Sequence, residues 1–393
     1  MNRSNRKWGI LKVPFFALFL EVIVFFVPLF SIKENRISDG ASYSLFPMTH
    51  WSSLLFPAIV LLTLCVVLFA WNRRRHLEAT AGFLLFLFPW VHLSFTSGFL
   101  MKDLTEAARI SPQTGTWICV AAAYVLFADA TKFIKSKGFV WVVLVLPFVI
   151  IAGLVLGENL AALSILREYN NKSGRFLLEF TTHIYLSGTS VLIACIVGIP
   201  LGLLAYKKKI FTNGIFLFAN TVQTIPSLAL FGLLIAPLSY ISHQYPVLRE
   251  IGIKGIGAAP ALIALSLYAL LPVTLNTFTS LRQIDNSVKE AGRGMGMGVF
   301  QLFFMVEFPL SLPVLLNGIR VAAVLTIGNT AVAALIRAGG LGSFIFQGLG
   351  QSAPDLILLG VIPIIALAIF TDRLFALLIY IVGPVSMRTQ FST

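Results

Sequence analysis

Ile284-Asp-Asn-Ser-Val-Lys-Glu-Ala-Gly-Arg-Gly-Met-Gly-Met-Gly-Val-Phe-Gln-Leu-Phe-Phe-Met-Val-Glu-Phe-Pro309 is the stretch on which the reading of this chain turns. It lies between two long apolar runs, at 258–278 and 310–335. Ile284, Val288, Ala291 and Met295 recur at helical spacing and form one apolar face. Asp285, Asn286, Lys289 and Arg293 lie off that face. Gly292, Gly294 and Gly296 are expected to break the helix, because glycine enters left-handed backbone conformations at no steric cost. Val299 to Phe308 forms a second, very apolar element, and Pro309 is expected to restart the chain into the next run. The spacing predicts a hairpin of two short helices. Exposed to water, it shows an apolar patch of the kind that waits for a partner.

Working outward, the composition says what surrounds this hairpin. Of 393 residues, 58% are hydrophobic and 11% charged, against about 45–50% and about 25% in soluble domains. Lipid is the natural solvent for such a chain. Runs near the length of a spanning helix lie at 8–30, 53–71, 79–98, 115–130, 139–157, 181–205, 213–238, 258–278, 310–335 and 355–383. The expected fold is an all-α integral membrane protein with about ten transmembrane helices. The first run is too long for a secretory signal and has no A-x-A-like site after it, so it reads as a retained span. The net charge of +13 sits in short clusters between apolar runs. That is topogenic charge in contact with lipid headgroups, and it argues against a nucleic-acid partner. Cys65, Cys119 and Cys195 all fall inside apolar runs and have neither metal-ligand spacing nor a disulfide framework.

Alternate loops carry Arg73-Arg74-Arg75, then Lys132, Lys135 and Lys137, then Lys207-Lys208-Lys209, then Arg282, Lys289 and Arg293. The basic N-terminus (Asn2, Arg3, Arg6, Lys7) and Arg388 fall on the same side. The other loops, with Lys33, Arg36, Lys102, Arg109, Arg167, Lys172, Arg175, Arg249 and Lys254, are poorer in Lys and Arg. The positive-inside rule then places both termini and the quoted hairpin in the cytoplasm. The polar stretch 158–178 reads as a periplasmic junction. It separates an N-terminal five-span bundle, 1–157, of unassigned role from a C-terminal five-span core, 179–393, whose cytoplasmic loop is 279–309.

Polar residues inside spans face a bundle interior or a wet cavity. In the seventh run Asn220, Gln223, Thr224 and Ser227 share a face, with Pro226 an expected kink. In the ninth, Thr326, Asn329 and Thr330 do the same, and the eighth offers Ser266, Thr274 and Asn276. These are candidate pathway residues, with helix packing as the plainer alternative. Gly339, Gly340 and Gly342 are expected to end the ninth helix in a shallow re-entrant turn. Glu21 lies within the first run and reads as a paired or water-facing structural carboxylate. His92 and His183 read as core histidines. Glu179 and Arg320 are expected to snorkel to polar ends.

The hairpin resembles the EAA loop of permeases in binding-protein-dependent ABC importers: E-A-A-x-x-x-G, nine residues, then I-x-L-P. Glu290, Ala291, Gly296, Val306, Phe308 and Pro309 fall on that pattern. Gly292 stands where Ala is usual and Phe308 where Leu is usual. The runs Thr221–Leu230 and Ile336–Ser343 are similar to the osmoprotectant branch, which takes up glycine betaine, choline and carnitine. The resemblance covers roughly 175–393, and a longer branch carries an extra N-terminal bundle. It implies a permease core of the methionine-permease-like type in the bacterial inner membrane. It also implies that Glu290, Ala291, Gly292, Gly296 and Pro309 dock on a separate ATPase subunit. That subunit holds ATP and Mg²⁺, since this sequence has no G-x-x-x-x-G-K-[ST] phosphate loop. The further partners implied are a periplasmic or lipid-anchored solute-binding protein and a second permease subunit, identical or different. The chain itself is then not catalytic. The alternatives are an ABC permease for another small solute such as an amino acid, and a proton-coupled secondary transporter using Glu21 and Glu179. The latter needs inverted repeats that the sequence does not show.

Overall fold

The computed structural model describes residues 3–35, 38, 40–45, 51–68, 74–102, 107–134 and 136–383, without the side chains of 3–12, 68 and 74. Of the basic clusters, Asn2, Arg36, Arg73, Lys135 and Arg388, and the side chains of Arg3, Arg6, Lys7 and Arg74, lie outside the described residues. The chain divides into two compact units, Met1–Asn171 and Lys172–Thr393.

In the first unit, α1 (Arg3–Val24), α2 (Leu55–Leu68), α3 (Arg74–Leu100), α4 (Thr114–Ala130) and α5 (Lys137–Leu156) follow the first five apolar runs. α3 packs on α4 and α1 on both α2 and α4, burying Leu85, Leu93, Ala122, Ala123 and Leu126 completely. The first run was expected to stay helical to Phe30, but α1 stops at Val24. Pro28 has no N–H to continue the helix and biases the residue before it to extended backbone. The chain turns instead into β1 (Phe30–Lys33), the centre of an antiparallel sheet in the order β2 (Ala41–Tyr43), β1, β3 (Arg109–Pro112). Phe30 faces Tyr43 on one side and Pro112 on the other. The short α6 (Ser164–Asn171) is held to β3 by the Ile110 N–H on Ala162 O (2.9 Å) and by Arg109 on Glu168 (2.7 Å). Of the polar stretch 158–178, residues 158–171 therefore belong structurally to the first unit, and the rest opens the second.

His92 is a core histidine, hydrogen-bonded to Ser52 (2.8 Å) and stacked on Phe88. Glu21 is fully buried and accepts from Thr63 Oγ1 at 2.9 Å. Arg75, read from sequence as a headgroup anchor, instead bonds Glu78 (2.7 Å) and Asp129 and lies over the Phe133 ring. Cys119 is buried, Cys195 half-buried and Cys65 exposed.

In the second unit the elements are α7 (Ser173–Lys207), α8 (Lys209–Thr224), α9 (Ser227–Gln244), α10 (Pro246–Glu250), α11 (Ala258–Arg282), α12 (Asn286–Gly294), α13 (Val299–Leu302), α14 (Phe308–Thr330), α15 (Gly342–Gly350) and α16 (Pro354–Val382). α11 is the hub, packed against α7, α8, α9 and α14, while α16 covers α14 and α15. Gly198 and Gly202, one turn apart on α7, let that helix lie against α11. A Cβ on Gly202 would stand 2.6 Å from Thr277 Cβ, the small-residue contact by which helices associate in lipid. Among the described residues, seven helices are long and apolar enough to cross a membrane, and three shorter apolar helices bring the total to the ten runs expected.

Candidate functional site

The quoted hairpin is fastened at both ends. Asp285 Oδ1 accepts the Ser287 N–H at 3.0 Å and so caps α12. That bond favours the charged carboxylate and holds Asp285 below its ordinary pKa. α12 was expected to break at Gly292 but runs on to Gly294. Gly292 is instead buried, facing Leu302 of α13, so its missing side chain serves helix packing and not helix breaking. The stop comes at Gly296, with φ +81°. Its N–H bonds Arg293 O (2.9 Å) and the Met297 N–H bonds Gly292 O (3.1 Å), the paired closure that a left-handed residue makes at a helix end.

Lys289, read from sequence as a headgroup-facing charge off the apolar face, is buried. Its Nζ donates to Tyr206 Oη at 3.0 Å and to Leu281 O at 3.4 Å. This pins α12 to the last turn of α7. Lys207 Nζ lies 5.5 Å from the Phe303 ring centroid, giving a second link from α7 to the hairpin. Pro309 does not restart the chain. α13 passes through one π turn, Phe303–Glu307, directly into α14, with the Phe308 N–H on Phe303 O. Proline has no N–H for an ordinary helical bond, and the widened turn just before it absorbs the mismatch. The result is a rigid extension of a span. Glu290, Ala291 and Pro309 are exposed on it, and Met295, Val299 and Phe300 are 72%, 77% and 80% exposed. The apolar patch expected from the sequence is present.

The pathway candidates lie in two separate places, the α8–α9 break and α14. The expected kink at Pro226 is a full break between α8 and α9. Two bonds brace it: Gln223 Nε2 donates to Tyr268 O at 3.0 Å, and Tyr268 Oη donates to Ile225 O. The Tyr268 carbonyl is free because Pro272, four residues on, has no N–H. Tyr268 was not singled out from the sequence, and nothing local marks it. Asn220 and Thr224 are exposed and Ser227 is half-buried. Thr326 and Thr330 are buried, and each donates to its own helix at 2.7 Å, to Ala322 O and Thr326 O. Asn329 between them is half-buried.

The ninth span does end where expected. α14 tightens into a 3-10 turn, Val332–Ile336, followed by left-handed Arg337, Gly339 (φ +82°) and Gly340 (φ +90°). Gly342 then opens α15 hard against α14, where a Cβ would stand 1.8 Å from Ala331 O. Glu179 does not snorkel: it accepts the Gly340 N–H at 2.7 Å. Arg320 does not snorkel either, pairing with Asp372 of α16 at 2.6 Å. Among the described residues no group of three or more His, Cys, Asp or Glu is placed to hold a metal ion.

Residues 198–380 match the family described as binding-protein-dependent transport system inner membrane component. Residues 7–166 match the N-terminal domain of the ABC transporter permease YehY. The osmoprotectant import permease protein OsmW of Salmonella typhimurium is 40% identical over 206 residues, 52% of this chain and 91% of that protein. The carnitine transport permease protein OpuCB of Listeria monocytogenes is 36% identical over 225 residues, 57% of this chain and 96% of that protein. An alignment with the MetNI methionine ABC transporter in an inward-facing conformation has 21% identity over 53% of this chain and 96% of that one. Its TM-score is 0.45, too distant a likeness to add weight. With these matches, the multi-pass helical chain and its braced apolar hairpin are those of an importer's permease subunit. The chain belongs to the family of binding-protein-dependent ABC transport permeases.

Proposed function

We propose that this chain carries a small quaternary-amine osmoprotectant, such as glycine betaine, choline or carnitine, across the bacterial inner membrane by alternating access. Both termini lie in the cytoplasm. The subunit is not itself catalytic: ATP and Mg²⁺ are held by a separate ATPase, onto which the 279–309 hairpin docks through Glu290, Ala291 and the exposed Met295, Val299 and Phe300. A solute-binding protein delivers the substrate, and a second permease subunit completes the pathway. Asn220, Gln223, Thr224, Pro226 and Ser227 at the α8–α9 break line it, and Thr326, Asn329 and Thr330 back it from α14. Gly339, Gly340 and Gly342 form its outer gate. The observation that carries the substrate class is the 40% identity to a relative named for osmoprotectant import, across 91% of that relative.

The test is uptake of labelled glycine betaine, choline and carnitine in cells stripped of their own uptake systems and supplied with this chain, its ATPase and its binding protein. Uptake of at least one of the three is expected, abolished by Glu290→Lys while the complex stays assembled. Uptake of none of them, with transport of an unrelated solute, overturns the substrate reading. Full activity in Glu290→Lys overturns the docking reading.

A further inference from the structure

Three side chains on one stripe of α7, spaced four residues apart, each grip a different part of the α14–α15 connection. Arg175 Nη1 donates to Gln347 Oε1 of α15 at 3.0 Å, and its guanidinium lies 5.5 Å from the Phe344 ring centroid. Glu179 Oε2 accepts the Gly340 N–H at 2.7 Å, while Oε1 lies 3.5 Å from Arg175 Nε. His183, fully buried, bonds Ile327 O of α14 through Nε2 at 3.0 Å.

The last contact has a local cause. Where α14 tightens into its 3-10 turn, the Ala331 N–H bonds Gly328 O, so Ile327 O loses its usual helical donor. A buried free carbonyl needs a donor, and a carbonyl only accepts, so His183 Nε2 carries the proton. Nδ1 is then a bare acceptor, and it is buried with no partner. It faces Gly340, whose Cβ would stand 3.2 Å away. The grip is therefore incomplete on its inner side.

The Arg175 and Glu179 contacts join α7 to the Gly339–Gly340 turn and α15, while His183 joins α7 to α14, which packs on both α11 and α16. α7 lies against α11 through Gly198 and Gly202. α15 lies against α16 with equal closeness: a Cβ on Gly348 would stand 2.6 Å from Ile357 Cγ1, and one on Gly360 2.7 Å from Leu341 O. Between α7 and α15 the polar links are single side chains meeting backbone or one polar atom, beside one ring contact of Phe176 on Phe344 at 6.1 Å. Such links have discrete made and broken states.

We propose that Arg175, Glu179 and His183 are positioning residues that latch the Gly339–Gly340 connection to α7 and so set when the outer end of the pathway opens. This rests on the permease reading above. Releasing the latch frees the left-handed turn and α15 to move with α16 while α7 stays with α11.

The test uses the full permease with its ATPase in lipid nanodiscs, a Ser343→Cys reporter at the start of α15, and a membrane-impermeant maleimide. Labelling is compared in the nucleotide-free and vanadate-trapped states, with the chain lacking the reporter as background. The wild-type latch is expected to give different rates in the two states. Glu179→Ala and His183→Ala are expected to raise the slower rate about tenfold, the size of an ordinary coupling between sites, and to lower uptake per ATP hydrolysed. Glu179→Gln keeps the acceptor, and His183→Gln keeps an N–H donor near the Nε2 position, so both are expected to behave as wild type. A merely structural role does not predict that rescue together with a changed state dependence. Arg175→Ala, exposed and sure to fold, carries the same test in milder form. Wild-type labelling rates in all three alanine variants overturn the latch, as does equal labelling of the two states in the parent. State-dependent labelling without uptake of any quaternary amine sinks the substrate reading and leaves the latch standing.

Discussion

At the scale of single residues, the hairpin depends on Lys289 and Gly296 in different ways. Lys289 is a buried ammonium whose donors meet Tyr206 Oη and Leu281 O. Removing a partner from a buried charge costs more than removing the charge itself, because the orphaned group has lost its water as well. Tyr206→Phe is therefore expected to destabilise by roughly 2 kcal/mol, and Lys289→Met, which takes the charge away and leaves behind a half-buried hydroxyl and Leu281 O, whose contact is long at 3.4 Å, by roughly 1 kcal/mol. Thermal unfolding of the two variants in the same detergent checks the order, and the reverse order refutes it. Gly296 acts through backbone geometry. At φ +81° a β-branched residue pays about 1–2 kcal/mol of strain, which the hairpin relieves by opening its closure onto Arg293 O and Gly292 O. Gly296→Val is expected to leave ATPase recruitment intact while ATP hydrolysis no longer drives uptake. Measured hydrolysis and transport that stay coupled in Gly296→Val contradict this.

Between elements, two glycines that look alike in the sequence have opposite tolerances. A Cβ on Gly202 meets the Thr277 Cβ at 2.6 Å and the Thr274 carbonyl at 2.7 Å, both fixed to the α11 backbone. A Cβ on Gly292 meets Leu302 Cδ1 at 2.6 Å, the far end of a side chain that can turn aside, and Met297 Sδ at an ordinary 3.5 Å. Gly202→Ala must push α7 off the hub helix and is expected to cost about 1–3 kcal/mol, the range for overpacking. Gly292→Ala gains helix propensity of up to about 1 kcal/mol and is expected to be neutral or slightly stabilising, in keeping with the alanine usual at that place in the EAA pattern. Melting curves of both variants decide it: a fall for Gly292→Ala as large as that for Gly202→Ala shows that Leu302 has no room to move. The sequence could not separate these two sites. It marks glycine, but not whether the atom opposite belongs to a backbone or to a rotamer.

Over the whole molecule, what was legible is what adds along the chain. Apolar length is local, so nine of the ten runs became one main helix each and the seventh became two, α8 and α9, and the motif spacing placed the hairpin with Gly296 among the three glycines expected to stop it. What was illegible depends on residues far apart in sequence. The β1–β3 sheet continues the apolar run of α1 and shows only as Pro28, since the groups that fix it, such as Gln113 on Ser31 at 2.7 Å, are 82 positions apart. Lys289 looked like a headgroup-facing charge because Tyr206 is 83 residues away, and Glu179 looked like a snorkelling carboxylate because Gly340 is 161 away. Topogenic charge, by contrast, is both local and global in effect, and it yields a last prediction. Relatives of 206–225 matched residues are covered over 90–96% of their own lengths, so the permease core exists elsewhere without a first unit. In the proposed topology that unit's two long and three shorter apolar helices all cross, an odd number, so a chain starting at Lys172 is expected to send its own N-terminus out and its first span inward. Lys207-Lys208-Lys209, at the inner end of α7, supplies the charge that does so. The truncated chain is expected to keep its C-terminus in the cytoplasm, read as fluorescence of a C-terminal reporter that matures only there. Replacing the three lysines by glutamine is expected to abolish that signal in the truncated chain and to leave it in the full chain, where five upstream spans and their clusters already fix the direction. Equal loss in both chains means that α7 orients itself without help from the first unit. No loss in either means that the charges at Arg282 and Arg293 suffice.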